Sequence, residues 1–130
     1  MGYLSTSSVL KVLNIADAGV IGSERVLIEV LSNCVLGDTV LLTGNSKEEK
    51  FFNPNSGHYY WFPSDVKFDK GDIIRLYTKT GQDNISKGTY FKNPVKFRNL
   101  FWGLNEPIWT DSTNALVLLA IQDWFLWRKQ

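Results

Sequence analysis

The chain contains a single cysteine, Cys34, and a single histidine, His58, among its 130 residues. One cysteine cannot close an internal disulfide, and these two side chains alone cannot supply the ligands of a structural zinc site. We expect Cys34 to be a buried thiol, because free cysteines are among the most often buried residues. His58 has Gly57 and Tyr59 as neighbours, which offer neither a nucleophile nor a carboxylate, so we expect a structural role for it.

Long apolar runs and an excess of one charge are also missing. No segment reaches the roughly 18 continuous apolar residues needed to span a bilayer, so no membrane span is predicted. Acidic and basic residues nearly balance, 13 against 14, and the net charge of +1 creates no global field that would attract nucleic acid or anionic lipid. Residues 1–19 lack a basic start followed by an apolar stretch, so no signal peptide is predicted and a cytoplasmic location is the default expectation.

Recognisable catalytic patterns are scarce as well. Asp65, Asp69 and Asp72 could meet at one turn and offer oxygens to a calcium ion, but their spacing lacks the EF-hand pattern and favours solvated turn residues. No activated nucleophile or paired carboxylate is evident. We therefore predict a protein that is not an enzyme and has no metal or cofactor, with a hydrolase as the least favoured hypothesis.

The chain is rich in aromatic residues, with 8 Phe, 5 Trp and 5 Tyr in short segments separated by turn residues. Aromatic and β-branched residues favour strands, and turns spaced about 8 to 12 residues apart are typical of β-sandwiches and barrels. The predicted strands are Ser8–Asn14, Glu24–Leu31, Asp38–Leu42 and Asp72–Lys79, with a short one at Thr89–Phe91 inside a long surface loop, Gly81–Lys96.

Two segments fit more than one structure. Glu24–Leu31 has apolar residues at a period of two but also fits a helical stripe, and its brevity and branched residues favour a strand. A helix at Asn114–Lys129 would be apolar nearly all round. Two strands there would turn near Gln122-Asp123, without the glycine that favours tight hairpins. For this segment we favour the hairpin.

Three pieces of the sequence, in this order, resemble the lamin-tail domain. The first is ERVLIEVLSN, Glu24–Asn33, which is similar to the family's early strand, E-x-V-x-(I/L)-x-N. The second is Phe62–Tyr77, similar to its strand-turn-strand, with Asp69-Lys70-Gly71 in place of the usual Pro-Gly. The third piece combines Trp102-Gly103, Pro107-Ile108-Trp109 and Leu116–Leu119.

This resemblance implies an all-β fold, an immunoglobulin-like antiparallel β-sandwich, over about Glu24 to Trp124. It implies that Trp102 and Trp109 are core or sheet-end residues. It also implies a non-catalytic module that binds proteins, nucleic acid or surfaces. From its length, the chain is expected to be a single domain, 1–130, with 1–7 as a flexible N-terminal extension.

Two groups of side chains are candidate binding sites. The segment 87–98 contains no acidic residue, and its cations can pair with phosphates while its rings stack on bases or apolar ligands. Its candidate residues are Lys87, Tyr90, Phe91, Lys92, Lys96 and Arg98. The alternative is an aromatic platform for a glycan, made by Tyr59, Trp61 and Trp102.

Each group also has a purely structural interpretation. The segment 87–98 could be a solubilising loop whose rings tuck into the sandwich. Tyr59 and Trp61 could simply share one face of a strand, with Tyr60 on the other. Taken together, the sequence predicts a non-catalytic interaction module for another protein, with nucleic acid or a glycan as alternative partners.

Overall fold

The computed structural model describes residues 9–47, 52–54 and 57–130. The predicted extension 1–7 lies outside this part of the chain. Ten β-strands and no helix occur within it, and no helix long and apolar enough to cross a membrane is therefore found there. The strands are β1 (Leu10–Ala16), β2 (Arg25–Val30), β3 (Cys34–Val35), β4 (Thr39–Gly44), β5 (Tyr59–Trp61), β6 (Lys67–Phe68), β7 (Ile73–Tyr77), β8 (Asn84–Tyr90), β9 (Asn93–Phe101) and β10 (Ala115–Ala120).

The strands form one large sheet, one small sheet and a short ribbon. The large sheet has the order β1-β2-β7-β9-β8, the small sheet β10-β4-β5, and the ribbon pairs β3 with β6. Neighbouring strands are antiparallel except β7 and β9, which run parallel with Ile73 opposite Phe97. The predicted all-β, sandwich-like class is confirmed, while this parallel pair departs from the purely antiparallel sheets that were expected.

Alternation along β2 determines which face of the large sheet is buried. Val26, Ile28 and Val30 are fully buried, whereas Leu27 and Glu29 are only half-buried. Successive side chains of a strand point to opposite faces, so the three branched residues all face the core. The prediction of a strand, rather than a helix, within Glu24–Leu31 is confirmed.

One cluster of buried side chains is shared by the two larger sheets. Ile28 and Leu76 of the large sheet belong to it, as does Leu41 of the small sheet, and Leu116 of β10 packs against it. Phe68 of the ribbon is fully buried in the same cluster. Because burying one such side chain contributes about 1.5–3 kcal/mol, this common core is what holds the sheets face to face.

A buried carboxylate connects the loops at one end of this core. Glu24 is fully buried, and its Oε1 accepts hydrogen bonds from the backbone N–H groups of Gly19 (2.7 Å) and Trp109 (3.3 Å). Its Oε2 accepts from the N–H of Ile108 (3.0 Å) and from the hydroxyl of Thr78 (2.5 Å). Four donors thus satisfy both oxygens, which a buried carboxylate requires.

The segment after β10 differs from the prediction. Residues 121–130 form neither the second strand of a hairpin nor a helix, so the predicted hairpin is wrong. Gln122-Asp123 lacks the glycine that favours the tight turn of a hairpin. The chain therefore does not reverse after Ala120.

The predicted long loop Gly81–Lys96 is also wrong, because β8 and the start of β9 form a hairpin there. Gly88 lies inside β8, although glycine usually weakens a strand pattern. A Cβ atom at this position would lie 2.8 Å from the ring of Phe97. The glycine thus lets an aromatic ring from the next strand pack over the backbone, a known role of glycine in sheets.

We expect Glu24→Gln to lower the free energy of unfolding by about 2–4 kcal/mol, because the amide would place a donor where buried donors converge. Urea denaturation followed by tryptophan fluorescence measures this loss. Glu106→Gln, an exposed glutamate two residues before Ile108, is the matched control and should change the value by less than about 0.5 kcal/mol. Equal effects of the two substitutions would contradict a structural role for Glu24.

Candidate functional site

The hairpin of β8 and β9 carries most of the basic-aromatic segment. Lys87 is opposite Lys96 and Tyr90 is opposite Asn93. β7 pairs with β9 only from Phe97 onward. Before that point the hairpin consists of β8 and β9 alone, and we call this part the outer ribbon. The outer ribbon projects beyond the start of β7 and ends in a two-residue turn, Phe91-Lys92.

The turn has an unusual sequence for its geometry. Phe91 and Lys92 both have positive φ, at 49° and 67°. Two-residue hairpin turns with positive φ at both positions favour Asn-Gly, because a Cβ atom strains the left-handed conformation, glycine has none, and asparagine offsets the strain with local hydrogen bonds. The hairpin therefore places a phenylalanine and a lysine where backbone geometry favours small residues.

Phe91 is presented to solvent at this turn. Its side chain is 82% exposed, and its ring meets that of Tyr90 edge-on, with centroids 4.6 Å apart. Lys92 is exposed, as is Lys87 four residues before Phe91. The ion pairs formed within the described ranges include neither lysine. We call Tyr90, Phe91 and Lys92 the hairpin tip.

The other two predicted cations, Lys96 and Arg98, lie at the base of the outer ribbon and are paired with acidic side chains. Lys96 Nζ is 2.6 Å from Asp69 Oδ2 and 3.6 Å from Asp72 Oδ1. Arg98 is only 8% exposed, and its Nη1 donates to Asp72 Oδ2 (3.2 Å) and to a backbone carbonyl of β6 (2.7 Å). Its guanidinium lies 4.6 Å from the ring centroid of Phe68. Lys96 and Arg98 thus attach β9 to the turn that precedes β7.

These contacts shift two pKa values in opposite directions. The hydrogen bond from Lys96 lowers the pKa of Asp69 below its ordinary value, and the same bond raises the pKa of Lys96. Both shifts favour the charged forms. Nearby, burial raises the pKa of the Cys34 thiol, and the charge of Asp72 adds to this effect. A raised pKa favours the thiol over the nucleophilic thiolate at neutral pH.

The acidic residues considered for calcium have other partners. Besides Arg98, Asp72 Oδ2 accepts a hydrogen bond from the backbone N–H of Asp69 (2.9 Å). Across residues 9–47, 52–54 and 57–130, no group of three or more His, Cys, Asp or Glu side chains is placed to hold a metal ion. Cys34 itself is half-buried and packs against the core.

The exposed aromatics of β5 follow the predicted alternation. Tyr59 (59% exposed) and Trp61 (39% exposed) share one face, while Tyr60 packs against the core. The indole N–H of Trp61 donates to the carbonyl of Gly37 at 2.6 Å. Its ring meets that of Trp124 edge-on, with centroids 5.3 Å apart and planes inclined by 75°. Trp61 is therefore fixed in orientation at the edge of the small sheet.

Trp102, the third residue of the predicted platform, is half-buried. Its indole N–H donates to the carbonyl of Tyr59 at 3.0 Å. Its ring meets that of Tyr60 at an interplanar angle of 61°. Trp102 thus packs beneath β5, and Tyr59 and Trp61 form the outward part of the predicted platform.

Sequence reasoning missed a polar and aromatic surface on the outer face of β7 and β9. Arg75 lies 3.9 Å from the ring centroid of Phe97, and it donates to Asn99 Oδ1 (2.7 Å) and to Ser86 Oγ (3.0 Å). The available signal was the alternation of Phe97, Asn99 and Phe101, which places these three side chains on one face of β9. Because Arg75 is bonded within this surface, its charge is already engaged by neighbouring side chains.

The structure thus divides the six predicted residues of segment 87–98 into two groups. Lys87, Tyr90, Phe91 and Lys92 lie on the outer ribbon, while Lys96 and Arg98 are paired with acids at its base. No known protein family matches the chain, and neither a curated protein nor a solved structure shows significant similarity to it.

We expect Arg98→Ala to lower the free energy of unfolding by about 3 kcal/mol, because it leaves the buried carboxylate of Asp72 without its closest cation. Thermal denaturation followed by circular dichroism measures the change. Lys96→Ala removes a more exposed cation from the same cluster and should lower the melting temperature only slightly. A loss with Lys96→Ala as large as with Arg98→Ala would contradict this division of roles.

Proposed function

We propose that the chain is a non-catalytic interaction module that binds another protein through the hairpin tip. The observation that carries this proposal is Phe91, a large apolar side chain exposed at a turn whose φ values disfavour it. Backbone strain of this kind clusters at functional sites, and buried aromatic anchors dominate the energetics of many interfaces. The ring of Phe91 would become buried in a pocket of the partner.

The distribution of charge favours a protein partner over nucleic acid. Affinity for nucleic acid depends on several simultaneous phosphate contacts. Near the tip, Lys87 and Lys92 are available, whereas Lys96 and Arg98 are engaged by Asp69 and Asp72. One exposed ring beside two lysines fits an apolar pocket with an acidic rim.

The resemblance to the lamin-tail domain supports both the immunoglobulin-like architecture and the binding role. Glu24 opens the first of the three similar pieces, and it accepts hydrogen bonds from Ile108 and Trp109 of the third. In the second piece, Gly71 has a φ of 93°, a conformation that glycine adopts more readily than any other residue. Since one fold can carry many functions, this likeness adds to the argument from Phe91 without replacing it.

We expect the double substitution Phe91→Asn with Lys92→Gly to separate stability from binding. Asn-Gly suits the turn, so the free energy of unfolding should rise by about 0.5–1 kcal/mol in urea denaturation. Binding should fall at least about tenfold, because the aromatic anchor and its neighbouring charge are both removed.

Peptides selected from a random phage-displayed library on the full chain, with counter-selection on the double variant, provide the probe. Selected peptides should combine acidic and apolar residues, and calorimetry should show that they bind the double variant weakly. Tyr59→Ala, on the small sheet, is the control and should bind them as the wild type does. Failure to enrich peptides that distinguish the two proteins, or Phe91-dependent binding of single-stranded oligothymidylate alone, would contradict a protein-binding tip.

A further inference from the structure

The small sheet is apolar on both of its faces. Val117 is opposite Leu42, and Leu42 is in turn opposite Tyr59. Residues directly opposite one another share a face of the sheet, and the alternate residue Leu41 belongs to the core. The outward face therefore includes Leu42, Tyr59, Trp61, Val117 and Leu119, while Val40 on the same face is only 7% exposed.

This apolar surface continues into the chain that follows β10. The N–H of Ile121 donates to the carbonyl of Asp38 at 2.7 Å, and Trp124 then contacts Trp61. The next three residues, Phe125, Leu126 and Trp127, are 86%, 82% and 75% exposed. We call Trp124–Trp127 the tail segment. Antiparallel sheets usually have polar residues on a solvated face, and a contiguous exposed apolar surface marks an interaction site.

We propose that the outward face of the small sheet and the tail segment bind the surface of a lipid bilayer. Tyr and Trp are enriched where headgroups meet acyl chains, because one end of each ring is apolar and the other stays hydrated. The exposed rings of this kind are Tyr59, Trp61, Trp124 and Trp127. Arg128 and Lys129 follow at once, and cations beside apolar side chains complement anionic headgroups.

The backbone of the tail segment determines how deep it lies. Trp124–Trp127 have no regular secondary structure, so their backbone N–H and C=O groups need water as a hydrogen-bond partner. Such a backbone cannot enter the hydrocarbon interior, where unpaired polar groups cost several kcal/mol. The tail segment therefore lies in the headgroup region and inserts only its side chains.

Other occupants fit this surface less well. The side chains around Tyr59 and Trp61 on the same face are aliphatic, and they offer no hydrogen bonds to sugar hydroxyls. β4 and β10 contribute six residues each and β5 three, so the face covers about 240 Å². This is well below the roughly 800 Å² per partner that stable complexes bury, so a second copy seated on the sheet face alone would bind weakly.

Sedimentation of the full chain with lipid vesicles tests the proposal. We expect binding to vesicles of phosphatidylcholine mixed equally with phosphatidylserine, weaker binding to phosphatidylcholine alone, and a blue shift of tryptophan fluorescence on binding. Phe125→Ser with Trp127→Ser should weaken binding to both vesicles at least about tenfold, because apolar area is lost. Arg128→Gln with Lys129→Gln should reduce only the preference for anionic vesicles, by about tenfold.

The controls keep this proposal separate from the hairpin tip. Phe91→Asn with Lys92→Gly should bind vesicles as the wild type does, and melting curves should be the same for the tail variants and the wild type. Absence of co-sedimentation with either vesicle would overturn the proposal. So would a dimer in sedimentation velocity that the Phe125 and Trp127 substitutions dissolve without any effect on lipid, or glycan-array binding that requires Tyr59 in a chain indifferent to vesicles.

Discussion

The fold depends on a buried carboxylate, that of Glu24. Burying the charge of Glu24 costs several kcal/mol unless hydrogen bonds compensate it, and four donors do so. Three of them are backbone N–H groups of Gly19, Ile108 and Trp109, outside the strands, which would otherwise lack partners near the core. Glu24 immediately precedes β2. Its hydrogen bonds therefore require β2 and the segments that contain Gly19, Ile108 and Trp109 to adopt their positions together. Trp109 is held in the core by this arrangement.

A second group of charges explains how the hairpin can project from the sheet. A ribbon of two strands is marginally stable in water by itself. Lys96 and Arg98 attach its base to Asp69 and Asp72, and Arg98 also lies over the ring of Phe68. The cations that looked like ligand contacts in the sequence thus fix the support from which Phe91 is presented. Rigidity at the base is what allows a strained turn to persist at the tip.

What could be predicted from the sequence was local, and what could not was set by distant contacts. The alternation in β2 and the branched run of β7 identify strands because a period of two is a property of neighbouring residues. The sign of Arg98 is equally visible, but its pairing with Asp72 depends on how β7 and β9 align. β8 was missed because Gly88 breaks the local pattern, and only the ring of Phe97 in the next strand explains it. After β10, the apolar residues predicted a second strand of a hairpin, yet Gln122-Asp123 lacks the glycine of a tight turn and residues 121–130 form no strand.

The two proposed surfaces are compatible because the topology separates them. β8 is an edge strand of the large sheet, and the hairpin tip lies where the chain turns from β8 into β9. The apolar face belongs to the small sheet and points away from the core that the two sheets share. A module lying on a bilayer through the small sheet would thus leave the large sheet, with its projecting ribbon, on the aqueous side. Phe91 would then meet partners in solution while the aromatic rings of the small sheet contact lipid. Both surfaces could therefore be occupied at the same time.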